Sequence, residues 1–84
     1  MTSNHDVKAL LDRVELDPAV MVGKPTVRGY RITVEQILTA LASGIGFQEL
    51  REDYRVLERE DIEACLLYAA KLVEEQRVYV LKTA

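Results

Sequence analysis

Three consecutive segments in the second half of this 84-residue chain repeat apolar residues at the spacing of an α-helix. The first segment opens with TVEQ at residues 33–36. This is the order of a capping box, in which a threonine hydroxyl and a glutamine side chain satisfy two free backbone N–H groups. Gly44 then offers a left-handed stop, which glycine adopts without a Cβ clash. The periodicity predicts helices over residues 34–43, 47–53 and 59–75.

Three helices in a row, of which the middle one is short and follows Gly46, form the outline of a helix-turn-helix module. We expect residues 33–75 to make up this module. The connection over residues 53–58 is longer than the ~3–4 residues that usually join such helices.

The first 32 residues predict a different local structure. Apolar residues at helical spacing indicate a helix over residues 6–13, and short extended pieces follow at 14–16 and 26–32. Pro25 holds the chain extended, and Gly29 allows it to turn back. We therefore expect an N-terminal helix and a β-hairpin segment over residues 1–32.

The size and composition of the chain indicate a single small domain, residues 1–84, with a mainly α fold and a small β element. Hydrophobic residues make up 49% and charged residues 30%, which are values of globular proteins rather than of disordered ones. The single cysteine, Cys65, excludes an internal disulfide and favours a reducing compartment. No apolar run reaches the ~20 residues of a membrane span, and the N-terminus does not resemble a signal peptide. We expect a cytoplasmic protein that does not enter a membrane.

One stretch of the sequence is cationic although the chain carries a net charge of −3. Between residues 18 and 34 there is no acid, and Lys24, Arg28 and Arg31 give the stretch a charge of +3. Arg31 is expected to pair with a helix carboxylate, for which Asp53 is the candidate. Lys24 and Arg28 are either ordinary solvated charges or contacts to phosphates or to an acidic partner.

The residues that could support catalysis or cofactor binding do not form a recognised site. The glycines near Lys24 lack the spacing of a Walker loop, in which a glycine stands four residues ahead of Gly-Lys-Ser/Thr. His5 lies near the chain terminus, and Cys65 within an apolar run is expected to be a buried thiol. The acids between 58 and 63 are expected to be a solvated helix start rather than a metal site. We expect neither an enzyme nor a protein with a cofactor or small-molecule substrate.

The last predicted helix is apolar around most of its circumference over residues 65–70. Either the N-terminal segment covers this helix, or part of it is a surface for self-association or for a partner. The run RVYVL at 77–81 is β-branched and aromatic, so residues 76–84 form a strand or tail, or extend the helix. The expected dimer or partner interface comprises Leu67, Tyr68, Val78 and Val80.

Two groups of short motifs in this sequence carry a resemblance to a known family. Gly-Lys-Pro at 23–25 and Arg-Gly-Tyr-Arg-Ile at 28–32 are followed by Glu-Asp-Ile at 60–62 and Tyr-Ala-Ala at 68–70. Over residues 16–70 the sequence resembles the bacterial and archaeal family catalogued as domain of unknown function, family 433.

The resemblance implies a homeodomain-like helix-turn-helix that follows an N-terminal β element. Members of the family are similar to antitoxins encoded beside PIN-like ribonuclease toxins, which they would neutralise while binding their own operator DNA. The sequence departs from the family pattern at several positions that matter for capping and turns. These are Tyr30 in place of threonine, Thr33 and Arg55 in place of proline, and Gly46 and Glu58 in place of serine or threonine caps.

Three functions follow as hypotheses. The first is an antitoxin-like homodimeric module with a PIN-like toxin and operator DNA as partners. The second is a helix-turn-helix transcriptional regulator without a toxin, and the third is a structural oligomerisation module. Because Glu58, a poor cap, opens the last helix, and because acids crowd its first turn, we expect that helix to fray and not to read DNA. The expected contacts to nucleic acid or partner are Lys24, Arg28, Arg31, Arg51, Arg55 and Arg59.

Overall fold

The computed structural model describes residues 7–76. The fold is mainly helical, with a two-stranded antiparallel sheet near the N-terminus. The elements in chain order are α1 (Val7–Leu11), β1 (Val14–Glu15), a single left-handed turn with 3₁₀-type hydrogen bonding (Met21–Gly23), β2 (Thr26–Val27), α2 (Val34–Ala42), α3 (Phe47–Asp53) and α4 (Arg59–Gln76).

The β element is held together by backbone hydrogen bonds on both sides of β2. On one side, Val14 pairs with Val27 in the antiparallel register. On the other side the chain folds back, because the Val27 N–H donates to the Ile32 carbonyl at 2.9 Å. Arg28 and Gly29 occupy the tip with φ values of +47° and +80°. Positive φ at both central residues matches the twist of a tight hairpin, so the predicted turn at Gly29 is confirmed.

Local signals place the three later helices as the sequence predicts. The Thr33 hydroxyl accepts from the Gln36 N–H at 3.0 Å, and the Gln36 side chain accepts from the Thr33 N–H at 2.9 Å, so the capping box is confirmed. Gly44, at φ +91°, ends the helix. α2 ends one residue earlier than predicted, and α4 ends one residue later than predicted.

The first helix is shorter than the predicted 6–13 and ends at Leu11. Arg13 is drawn out of the helix because its carbonyl accepts the Arg28 N–H at 2.6 Å, next to the Val14–Val27 pair. The hydrogen bond between Arg13 and the hairpin therefore ends α1 before the predicted helix end. α1 packs against α4.

The hydrophobic core lies where the hairpin meets the three later helices. Ile37 of α2 and Cys65 of α4 are fully buried within it, so the predicted buried thiol is confirmed. Burial raises the pKa of Cys65 to about 12, which keeps the thiol protonated and unreactive. The buried apolar cluster consists of Val27, Ile32, Val34, Ile37, Leu50, Leu57, Ile62 and Cys65.

Within the described residues, none of the helices has the length and apolar character needed to span a bilayer. The predicted strand or tail at 76–84 falls almost wholly outside those residues, as does His5.

Candidate functional site

A buried carboxylate joins the hairpin to the last helix. Asp61, in the first turn of α4, has no solvent exposure. Arg28 at the hairpin tip donates to it in bidentate fashion, from Nε to Oδ1 at 2.9 Å and from Nη2 to Oδ2 at 2.8 Å. Arg13 Nη1 donates to Oδ1 at 2.9 Å, and the Glu58 backbone N–H donates to Oδ2 at 2.8 Å. Each carboxylate oxygen therefore accepts two hydrogen bonds.

These contacts decide the charge state of Asp61. Burial alone would raise the pKa of Asp61, because a low-dielectric environment disfavours the charged form. The hydrogen bonds from Arg28, the Glu58 N–H and Arg13 outweigh burial and lower the pKa below its usual value. The hydrogen bond to Asp61 likewise raises the pKa of Arg28 above that of a free guanidinium. The side chains of Asp61, Arg28 and Arg13 are therefore all charged at neutral pH.

The expectation that acids at the start of α4 are solvated, and that this helix end frays, is therefore wrong for Asp61. Glu58 contributes no side-chain cap, but its own N–H is satisfied by Asp61 three residues later. Its carboxylate also accepts from Arg13 at 2.9 Å. A buried ion cluster replaces the missing serine or threonine cap and fixes the helix start.

The cluster also changes the interpretation of Arg28, which the sequence suggested as a solvated charge or an outward contact. Besides Asp61, its guanidinium donates to the Val56 carbonyl at 2.7 Å and lies 5.1 Å from the centre of the Tyr30 ring. Most of its donor capacity is therefore used inside the fold. A positive φ is uncommon for a residue with a side chain, and at Arg28 it accompanies this bidentate contact.

Lys24 and Arg31, the other two cations of the acid-free stretch, remain on the surface. Lys24 Nζ lies 3.2 Å from Glu35 Oε1, and both side chains are exposed, so the pair contributes little stability. Arg31 is exposed and makes no ion pair with any carboxylate in residues 7–76. The expected Arg31–Asp53 pair is absent from this part of the chain.

Three of the expected contact residues, at or near α3, are exposed, namely Arg51, Arg55 and Arg59. Arg59 lies over the Phe47 ring at 4.7 Å, and Arg51 approaches the same ring at 6.0 Å, which is the limit of a cation–π contact. Arg55 and Arg51 line one shallow surface recess of about 230 Å³ together with Gln48 and Glu52. None of these contacts of Arg51, Arg55 and Arg59 involves Lys24 or Arg28, so they do not bring the five cations together at one site.

From its middle toward its C-terminal end, α4 leaves apolar side chains uncovered. Leu66 is 51% exposed and Val73 is 69% exposed, and they lie seven residues apart on one face of the helix, with Ala70 between them. Leu72, on another face, is also exposed. The predicted interface residues Leu67 and Tyr68 are only partly exposed, and Tyr68 packs against the core. Val78 and Val80 lie outside the described residues.

Two further carboxylates at the start of α4 are those of Glu60 and Glu63. They are exposed, and no cluster of at least three potential ligands occurs between residues 7 and 76. With Glu58 they make the exposed first turns of α4 acidic.

A family model described as Protein of unknown function (DUF433) matches residues 14–69. The chain belongs to this family. The matched DUF433 segment contains two of the three residues of the ion cluster, Arg28 and Asp61, whereas Arg13 lies just before it. No curated protein and no solved structure matches the chain.

Sequence reasoning missed the pairing of Arg28 with Asp61. The signal was present, because the most specific motifs of the DUF433 resemblance are Arg-Gly-x-Arg-Ile and Glu-Asp-Ile. The first motif supplies Arg28 and the second supplies Asp61. A motif pair separated by about thirty residues can mark a contact in space, which helical periodicity alone does not reveal.

Proposed function

We propose that this DUF433 protein is an antitoxin-like, homodimeric binding module with a homeodomain-like helical arrangement, which neutralises a PIN-like ribonuclease. The observation that carries the proposal is the exposed apolar face of α4, formed by Leu66, Ala70 and Val73. Burial of such a face in an interface is favourable by roughly 25 cal/mol for each Å² of apolar surface removed from water.

The exposed face is suited to protein contact because it continues one helix face for two turns. Residues at i, i+4 and i+7 of a helix meet a partner surface as a single strip. Ala70, between two larger side chains, allows a partner backbone or side chain to approach closely. Residues 77–84, which follow α4 in the sequence, include further apolar residues.

The charge at the opposite end of α4 favours a protein partner over DNA at this helix. Glu60 and Glu63 are exposed there, and phosphates would repel them. The one base of the first turns, Arg59, lies over the Phe47 ring.

Co-expression with the product of a neighbouring nuclease gene tests the proposal. We expect the tagged protein to co-purify with the nuclease and to suppress its cleavage of RNA. The double variant Leu66→Lys/Val73→Lys should lose both effects, whereas Glu60→Gln/Glu63→Gln, which makes the same change of +2 in charge on the same helix, should keep them. Equal inhibition by both double variants would contradict the assignment of this face.

Operator binding is the second function that we propose. It is suggested by two exposed arginines, Arg51 and Arg55. They lie beside one another on the surface near the end of α3. Arginine side chains at such positions contact phosphates and make affinity fall steeply with salt. A gel-shift assay on the upstream region should show binding at low salt that Arg51→Glu/Arg55→Glu abolishes. No shift at low salt would remove this function and leave the first intact.

A further inference from the structure

A recess of about 940 Å³ opens between the loop at residues 18–24 and α2. The loop side of the recess is mostly apolar, and α2 and the end of α3 complete its walls. Its lining includes Pro18, Met21, Val22, Arg31, Thr39 and Tyr54.

The recess is cationic within an acidic chain. Lys24 and Arg31 line it with a single carboxylate, that of Glu35, which is paired with Lys24 at 3.2 Å. The guanidinium of Arg31 has no carboxylate partner in residues 7–76. Planar guanidinium groups bind carboxylates in a bidentate geometry, so the N–H donors of Arg31 can bind one carboxylate.

The loop wall of the recess is strained. Met21, Val22 and Gly23 have successive φ values of +50°, +56° and +79°, and a positive φ is a genuine outlier for a β-branched residue such as valine. Val22 is also 90% exposed, so burial within its own fold does not offset the strain. Strained residues of this kind concentrate at binding sites, where the conformation presents a side chain to a ligand.

We infer that this recess binds an extended, apolar segment of a protein partner that carries one carboxylate. Arg31 would take the carboxylate in a bidentate ion pair, and Met21 and Val22 would pack against the neighbouring apolar side chains of the segment. Lys24 exchanges its weak surface pair with Glu35 for the same anion.

A nucleic acid fits the recess less well. DNA carries one negative charge about every 1.7 Å along its axis, so a chain with a net charge of −3 would repel many of its phosphates. An apolar segment with a single carboxylate has only one negative charge for the chain to repel. The apolar loop wall also offers a phosphate backbone no partner.

This inference goes beyond the proposed function, because the recess is built from the loop and α2 rather than from the outer face of α4. The two are separable by experiment. A peptide site at the recess can fail while nuclease inhibition persists, and the converse also holds.

The test is selection of random 12-residue peptides displayed on phage against the immobilised full chain. We expect enriched peptides to share an aspartate or glutamate beside apolar residues. Binding of a synthetic enriched peptide, measured by fluorescence anisotropy, should weaken at least about tenfold in Arg31→Glu. The matched control Lys71→Glu makes the same charge change at an exposed side chain outside the recess and should bind as the wild type does.

Four results would overturn the inference. The first three are enrichment of no peptide over the uncoated support, enriched peptides without an acid, and equal affinity for the wild type and Arg31→Glu. Displacement of the peptide by a 12-base-pair duplex at low salt would instead assign the recess to nucleic acid and likewise overturn it. Circular dichroism melting of each variant establishes that a loss of binding is not a loss of fold.

Discussion

At the scale of single residues, Asp61 links the two halves of the chain through its hydrogen bonds to Arg13 and Arg28. Its carboxylate is fully buried, whereas the side chains of Arg13 and Arg28 remain 27% and 28% exposed. Removing one partner of a buried pair costs about 3–5 kcal/mol, and partial hydration of the arginines should lower this to about 2–3 kcal/mol for Asp61→Asn. Urea denaturation measures the difference in free energy of unfolding. The exposed control Glu63→Gln should change it by less than about 0.5 kcal/mol.

The same residue predicts how stability depends on pH. The pKa of Asp61 is lower in the folded chain than its usual value, so the folded state binds its proton less readily than the unfolded state does. Its stabilisation is therefore complete above the unfolded-chain pKa of about 3.9 and is lost as the pH falls through the lower folded pKa. The stability gap between the wild type and Asp61→Asn should stay constant from about pH 7 to pH 5 and close toward pH 2. A gap that is unchanged at pH 2 would contradict this assignment of charge.

Val22 gives a prediction of the opposite sign. Its left-handed backbone costs roughly 1–2 kcal/mol for an ordinary residue, and asparagine tolerates that conformation far better. Because Val22 is 90% exposed, Val22→Asn removes no core contact. We expect the variant to be more stable by about 0.5–1 kcal/mol in urea denaturation. A loss of stability would mean that the valine side chain contributes to the fold after all.

At the scale of elements, the hairpin depends on the backbone at Gly29. Its φ is +80°, and a Cβ placed there would lie 3.2 Å from Glu15 Oε1. Gly29→Ala should destabilise the chain by about 1–2 kcal/mol, because alanine is strained at positive φ. The double variant Gly29→Ala/Glu15→Ala separates the two causes, since it removes the crowding carboxylate and keeps the backbone strain. If it regained full stability, crowding and not backbone strain would be the cause.

The elements also show what could be predicted from the sequence. The helices follow from local signals, such as the capping box at Thr33 and the stop at Gly44, so their predicted bounds agree with the structure to within one residue after position 33. The early end of α1 depends on a hydrogen bond between Arg13 and Arg28, which lie far apart in sequence. Periodicity carries no information on such a contact.

The candidate site was predictable only in part, for the same reason. The sequence indicated the cationic stretch, but it could not show which of its cations are used internally. Arg28 is engaged by Asp61, Lys24 by Glu35, and Arg31 by none of the carboxylates in residues 7–76. The apolar excess of α4 was also evident, yet the exposed positions are Leu66 and Val73 rather than the neighbouring Leu67 and Tyr68.

At the scale of the whole molecule, α4 has one face buried in the core and another apolar face exposed. The hairpin, α2 and α3 are tied to the first half of α4 by the apolar core and by the Arg13–Asp61–Arg28 cluster. From Leu66 to Val73, another face of α4 is exposed and apolar. We propose that the buried face of α4 stabilises the fold and that this exposed face binds.

The mass of the full chain in solution tests this central claim most directly. Multi-angle light scattering over a concentration series of about 10–200 µM should give the wild type twice the 9.5 kDa of one chain. Leu66→Lys/Val73→Lys should give a folded monomer, and the charge-matched Glu60→Gln/Glu63→Gln should remain a dimer. A wild-type mass of 9.5 kDa at every concentration, or a dimer that the lysine substitutions leave intact, would contradict the account.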